Sequence, residues 1–142
     1  MSKIILLTGE KQTGKTTLLY RKFSQSNHAG GVLIPVLEGR RHFYSLSYKN
    51  VWIAESIHET NPILRVGRFS FLPRAFDIAN QSIHNDIGQK PIIILDEIGP
   101  LELLQGLGLK PSLDECLQRI SSIRYLILVV RPSLVDNLKD YC

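Results

Sequence analysis

The sequence is poor in the residues that build covalent staples and metal cages. It holds two cysteines in 142 residues, Cys116 and Cys142, and no CxxC pair, which excludes a disulfide framework and a thiolate zinc site. Cys116 falls among Leu113, Leu117 and Ile120 and reads as a small core residue. The four histidines, His28, His42, His58 and His84, are scattered without ligand spacing, which argues against a metal site built from side chains alone. Long apolar runs are missing too: none approaches the ~20 residues that a membrane span needs. The amino terminus lacks the basic, apolar and small-residue succession of a secretory signal. These absences lead us to expect a cytoplasmic protein with no membrane partner. With no internal repeat, low-complexity tract or evident linker, we expect one domain over residues 1–142, able to bury roughly two thirds of its unfolded surface.

Charge excludes less. Lys and Arg number 17 against 13 Asp and Glu, a net charge of +4 and a pI near 9.2. That balance suits an anionic ligand but is too weak to argue for nucleic acid. The arginine doublet Arg40-Arg41 reads as part of a solvated turn.

What the sequence does have is a succession of short apolar runs. Residues 3–8, Pro91–Leu95 and Tyr125–Val130 are continuous enough to read as strands buried on both faces. Between them lie helical patterns. Residues 15–25 place Leu19 and Phe23 four apart beside Leu18. Ser70–Ile87 sets Leu72, Phe76, Ala79, Ile83 and Ile87 at helical spacing, with Pro73 in the first turn and Gly88 past the end. Leu113–Ile120 and Ser133–Lys139 read as shorter helices. Ser26–Gly31 reads as the end of the first helix. Val32–Leu37 and His42–Tyr48 flank Glu38-Gly39-Arg40-Arg41 as a β-hairpin, and Val51–Ala54 as a further short strand. The class is α/β: a mainly parallel central sheet, helices on both faces and a β-hairpin insertion.

Gly9-Glu10-Lys11-Gln12-Thr13-Gly14-Lys15-Thr16 satisfies G-x-x-x-x-G-K-[ST] at every fixed position, with a strand before it and a helix after it. Each fixed residue has a physical task. The glycines let successive backbone N–H groups turn inward onto phosphate oxygens, and the helix adds its unpaired N–H groups and positive dipole end. Lys15 brings a full charge to the β and γ phosphates, the Thr16 hydroxyl suits Mg²⁺, and Thr17 is placed for the α-phosphate. The candidate nucleotide-binding set is therefore Gly9, Glu10, Lys11, Gln12, Thr13, Gly14, Lys15, Thr16 and Thr17, with Lys11 and Gln12 as exposed spacers. An ordinary strand-to-helix turn is the alternative.

A phosphate loop needs a carboxylate at the end of a neighbouring buried strand to hold the metal through its water shell. Ile92-Ile93-Ile94-Leu95-Asp96 supplies one. Glu97 follows, pointing the other way along the strand, where a base that orients the attacking water would sit. The alternative for this pair is an N-cap opening the next helix. Glu102 either supports the site or is solvated. Arg65, Arg68 and Arg131 are candidates for stabilising charge on the transferring phosphoryl group, and each also reads as a structural or solvated residue. Arg131 ends a buried strand, at the sheet edge where ligands of open α/β folds gather.

Ile94-Leu95-Asp96-Glu97-Ile98-Gly99-Pro100-Leu101-Glu102-Leu103 resembles the signature of the THEP1-type nucleoside-triphosphatases, small P-loop proteins of bacteria, archaea and animals. Gly9–Thr17 resembles their phosphate loop. The Gly30-Gly31 hairpin with Gly39-Arg40-Arg41 looks like their β-insertion, and Arg65-Val66-Gly67-Arg68-Phe69 before the Phe76 helix like their middle segment. The likeness runs from about Ile4 to Leu103 and continues more loosely over Leu126–Leu134. Gln12 stands where the family often has a further glycine, and relatives continue through another strand and helix beyond the position of Cys142. The resemblance implies a three-layer, RecA-like P-loop NTPase domain with one strand between the loop strand and the Asp96 strand. It implies slow Mg²⁺-dependent hydrolysis of nucleoside triphosphates, ATP and GTP among them, to diphosphate and phosphate with little base selectivity. In that reading Lys15 and Glu97 are catalytic, and Thr16 and Asp96 hold the metal. Two rivals stand beside it: a small-molecule or nucleotide kinase, and a nucleotide-gated binding module, for which the apolar segment Leu101–Leu109 is available. The sequence leaves the preferred base, the pathway, the oligomeric state and any protein partner open.

Overall fold

The structure is a computed structural model that describes residues 1–9, 14–56, 64–66 and 69–142, with 64–66 and 69–70 described as backbone only. In chain order the elements are β1 (Lys3–Thr8), α1 (Lys15–Phe23), β2 (Ala29–Leu33), β3 (Val36–Leu37), β4 (Arg40–Ser45), β5 (Val51–Ile53), β6 (Leu64–Val66), β7 (Phe69–Phe71), α2 (Pro73–Asp86), β8 (Ile92–Ile98), α3 (Pro100–Leu103), α4 (Lys110–Gln118), β9 (Tyr125–Val130) and α5 (Val135–Tyr141). Short 3₁₀ turns precede β9 and α5.

Strands β1, β9, β8 and β2 form a parallel row in that order. β4 continues the sheet antiparallel to β2, with β3 and β5 paired on it. β6 and β7 form a separate antiparallel ladder. One strand, β9, therefore separates the loop strand β1 from the acidic strand β8, as the THEP1-type resemblance implies.

The continuous apolar runs are explained by the sheet's two covered faces. Ile93, Leu95, Leu126, Leu128 and Val130 point into a core shared with α2, α4 and α5, while Ile94, Ile127 and Val129 point to the opposite face, under Leu19 of α1. Alternation along each strand thus feeds two cores, and only a run apolar at every position can do so. In α2, Ala75, Phe76, Ala79 and Ile83 are buried at helical spacing. Phe76 stacks edge-on against Phe43 and Phe71.

Four expectations need correction. The 3–8 run is an edge strand, not a buried one: β1 has β9 as its partner among the described residues, and Ile4 and Ile5 are 40% and 42% exposed. Ser26–Gly31 is not wholly a helix end, because Ala29, Gly30 and Gly31 open the fully buried strand β2. The hairpin is accordingly β3–β4 with a two-residue turn at Glu38-Gly39, both at positive φ, the primed geometry that matches strand twist. The long helix starts at Pro73 and ends at Asp86, since Ser70 belongs to β7.

Gly31 shows why β2 was hidden. Its φ is +93°, and a Cβ there would collide with the backbone carbonyl of Ile94. Its N–H donates to Asp86 Oδ2 at 2.8 Å, which ties the end of α2 to the strand. This close approach of β2 to β8 requires glycine, the residue that also marks turns.

Candidate active site

The parallel strands all end on one edge of the sheet, and the start of α1 faces that edge. Gly14 precedes α1 in the left-handed region, φ +85°. A Cβ at Gly14 would meet nothing within 4 Å, so backbone conformation rather than space selects glycine here. Leu18 N donates to Gly14 O at 2.9 Å, the first bond of the helix, so the backbone amides of Lys15, Thr16 and Thr17 lie in its first turn, at its positive end. Lys15 Nζ donates to the carbonyl of Gly9 at 2.6 Å. Glu10, Lys11, Gln12 and Thr13 lie outside the described residues.

Asp96 is fully buried. Its Oδ2 accepts hydrogen bonds from the Thr16 hydroxyl at 2.7 Å and from Ile34 N at 2.9 Å. Oδ1 is buried with no hydrogen-bond partner among the described residues. Burial is the first cause that pushes the Asp96 pKa up to about 6, against the lowering effect of those two donors. Strand alternation explains the aim: Asp96 shares a face with Ile94, the face covered by α1.

Glu97 breaks the ladder. Leu95 pairs with Leu128 and Ile98 with Val130, so three steps on β8 match two on β9, a β-bulge. Glu97 takes φ +55° there, a strained conformation for a residue with a Cβ. The bulge turns its side chain toward β4, where Glu97 Oε2 accepts from Arg41 Nη1 at 2.6 Å. The two side chains are 37% and 12% exposed.

The turn after β8 is held from below. Glu102, 4% exposed, accepts from Gly99 N and Leu109 N at 2.9 Å each. The short helix α3 begins on Gly99, so Asp96 does not cap it, and Glu102 is not solvated. Burial, ahead of these donors, pushes Glu102 up to about 7. The apolar segment 101–109 divides: Leu101 and Leu109 are core, while Leu104 and Leu107 face solvent.

Lys15, Thr16, Asp96, Glu97, Arg41 and Arg131 all line one cavity of about 730 Å³. It is large enough for a nucleotide-sized ligand. Of the three arginines singled out from the sequence, Arg131 lies in this cavity, half-buried. The Arg65 side chain and all of Arg68 lie outside the described residues. Arg41 was missed. Arg40-Arg41 is not a solvated turn but the start of β4, and the available signal was the period-two pattern that puts Arg41 on the same side as the buried Phe43.

Comparison with known proteins agrees with this geometry. A family model described as NTPase matches residues 4–141. A nucleoside-triphosphatase THEP1 from Hyperthermus butylicus is 30% identical over 115 residues, covering 72% of this chain and 59% of its own. The chain belongs to the THEP1-type NTPase family. It spans about three fifths of the length of that curated relative. The crystal structure of THEP1 from the hyperthermophile Aquifex aeolicus superposes with a TM-score of 0.70 at 20% identity, covering 98% of this chain and 83% of that one. At that identity the match establishes the fold, a P-loop NTPase sheet. Across this THEP1-type chain, the structure brings together Lys15, Thr16, Thr17, Asp96 and Glu97 from two segments far apart in sequence. None of the described helices is long and apolar enough to cross a membrane.

Proposed function

We propose that this THEP1-type domain, spanning residues 1–142, is a cytoplasmic Mg²⁺-dependent nucleoside-triphosphatase that converts triphosphates such as ATP and GTP to diphosphate and phosphate, slowly and with little base selectivity. The observation that carries the reading is the 2.7 Å hydrogen bond between Thr16 and Asp96 on the cavity that also holds Lys15. A loop hydroxyl and a strand-end carboxylate meet there beside the cation that would bind phosphate.

In this reading the amides of Gly9–Thr17 and the Lys15 ammonium bind the phosphate chain. Thr16 and Asp96 hold the metal. They fit it: both offer hard oxygens, which Mg²⁺ prefers, and the buried Oδ1 of Asp96 has an acceptor site that no described residue uses. When bound, Mg²⁺ neutralises charge on the β and γ oxygens. Glu97 orients the attacking water and takes its proton. The water oxygen bonds to the γ-phosphorus as the bond to the bridging oxygen breaks, and the diphosphate leaves with the electron pair. Low base selectivity is supported by the described cavity wall, whose lining includes Tyr20, Tyr44, Pro35 and Val36 and no side-chain amide among the described lining residues. A ring face is met equally well by any base.

The test is phosphate release from each of the four common triphosphates, with Mg²⁺ and with EDTA, for wild type and Lys15→Ala. Release from all four that needs both Mg²⁺ and Lys15 supports the reading. Product that forms only when an alcohol or phosphate acceptor is added would make the protein a kinase instead.

A further inference from the structure

The pair formed by Arg41 and Glu97 is placed to do more than hold the hairpin against the sheet. The backbone at Arg41 is fixed: its N–H donates to Glu55 Oε1 at 3.0 Å, and its carbonyl accepts from Ala54 N and Glu55 N. Arg40 Nη2 ties to the Glu55 carbonyl at 2.9 Å. A guanidinium on an anchored strand, 12% exposed, reaches into the cavity that Lys15 and Thr16 line. With the strand anchored, only rotation of the side chain can redirect the guanidinium.

The carboxylate it touches is the one proposed to orient water. While Glu97 accepts from Arg41 at 2.6 Å, one of its two oxygens is occupied and is not open to a water. The terminal phosphate of a bound triphosphate brings about two negative charges and three acceptor oxygens, against one charge and two oxygens on the carboxylate. A planar guanidinium fork suits it at least as well. A bound diphosphate ends one phosphate earlier and puts no such group at the γ position.

We propose that Arg41 senses the γ-phosphate: it holds Glu97 in the nucleotide-free protein and passes to the terminal phosphate of a bound triphosphate, which frees Glu97 for the attacking water. This rests on the nucleoside-triphosphatase reading and adds a residue to it. One displacement then supplies both the free base and a cation on the transferring group. Hydrolysis is thereby confined to the ligand that carries a γ-phosphate, and the charge that develops there meets a preplaced arginine.

The experiment compares wild type, Arg41→Ala and Arg41→Lys, with melting temperatures recorded for each. Affinities for ATP and ADP are measured in EDTA by competition with a fluorescent nucleotide, and turnover is measured with Mg²⁺. The expected result is an ADP affinity near that of wild type in Arg41→Ala and an ATP affinity about tenfold weaker. Turnover should fall on the order of 10³-fold with melting temperature retained. Arg41→Lys, which keeps the charge and loses the fork, should fall between. Added guanidinium should restore part of the turnover of Arg41→Ala and none of Lys15→Ala. An unchanged preference for ATP over ADP in Arg41→Ala overturns the proposal, as does turnover at or above the wild-type rate. Should Arg41→Ala fail to fold, the same comparison in Arg41→Lys decides: wild-type preference and turnover overturn it. If wild type binds nucleotide but hydrolyses none, the nucleoside-triphosphatase reading fails, while the ATP-to-ADP ratio still decides the role of Arg41.

Discussion

Thr16 at the start of α1 and Asp96 near the end of β8 are joined by a 2.7 Å hydrogen bond across 80 residues of sequence. The bond ties the start of α1 to the acidic strand. It also presents one hydroxyl and one carboxylate, already in register, to a cation. Asp96→Asn keeps the shape and an acceptor for Ile34 N but removes the charge. The variant is expected to fold and to bind ADP in EDTA as wild type does. The gain in affinity on adding Mg²⁺ should disappear, and turnover should fall by about 10² or more. Nucleotide titrations with and without Mg²⁺ check this; a full Mg²⁺ effect in the variant would remove Asp96 from the metal site.

Glu97→Gln is expected to separate binding from chemistry. The amide keeps the bulge and an oxygen for Arg41 but cannot accept the water's proton. Loss of a positioned base costs roughly 10²–10⁴ in rate, whereas contacts to the phosphate chain are untouched. Single-turnover phosphate release should collapse while nucleotide affinity stays within about twofold. Equal rates for the two proteins would end the assignment of Glu97 as base.

What could be seen in the sequence and what could not follows from the range of each interaction. Gly14-Lys15-Thr16 is legible because a turn, a helix start and a cation are encoded in consecutive residues. Asp96 is legible because a buried strand leading into a carboxylate is a local pattern. Alternation with Phe43 points Arg41 to one side of its strand, but its role was not legible, because its partner Glu97 lies 56 residues away and whether that side faces water or a cavity depends on which strand lies beside it. Gly30-Gly31 misled for a related reason: glycines chosen for close packing under Asp86 and Ile94 look the same as glycines chosen for a turn. The apolar run of β1 gave the strand but not its place at the sheet edge, because edge or centre is settled by strand order rather than by the strand itself.

Gly31 supplies a stability prediction. At φ +93° with the Ile94 backbone against it, a methyl group has neither the conformation nor the room, and the obstacle is main chain that cannot rotate away. Gly31→Ala is expected to destabilise the fold by roughly 3 kcal/mol or more. At Gly30 the group in the way is the Asp86 side chain, which can move at some cost, so Gly30→Ala should be milder. Urea denaturation midpoints rank the two. The reverse order would mean that β2 does not sit against β8 as described.

Glu102 makes stability depend on pH in a direction that can be derived. In the unfolded chain its carboxyl titrates near its ordinary value of 4.5; in the folded protein burial holds the proton until about pH 7. Between those values the folded state binds more protons than the unfolded one, so folding stability falls as pH rises. Its contribution is fully present below about pH 4.5 and lost by passing through pH 7. Glu102→Gln cannot titrate, so the difference in stability between wild type and variant isolates this residue. Asp96, whose pKa is also raised, contributes equally to both proteins and cancels. Nucleotide-free samples unfolded by urea between pH 4.5 and 8 should show wild type losing stability relative to Glu102→Gln as pH increases. A flat or rising difference would mean that Glu102 is ionised at neutral pH, with the Gly99 and Leu109 amides outweighing its burial.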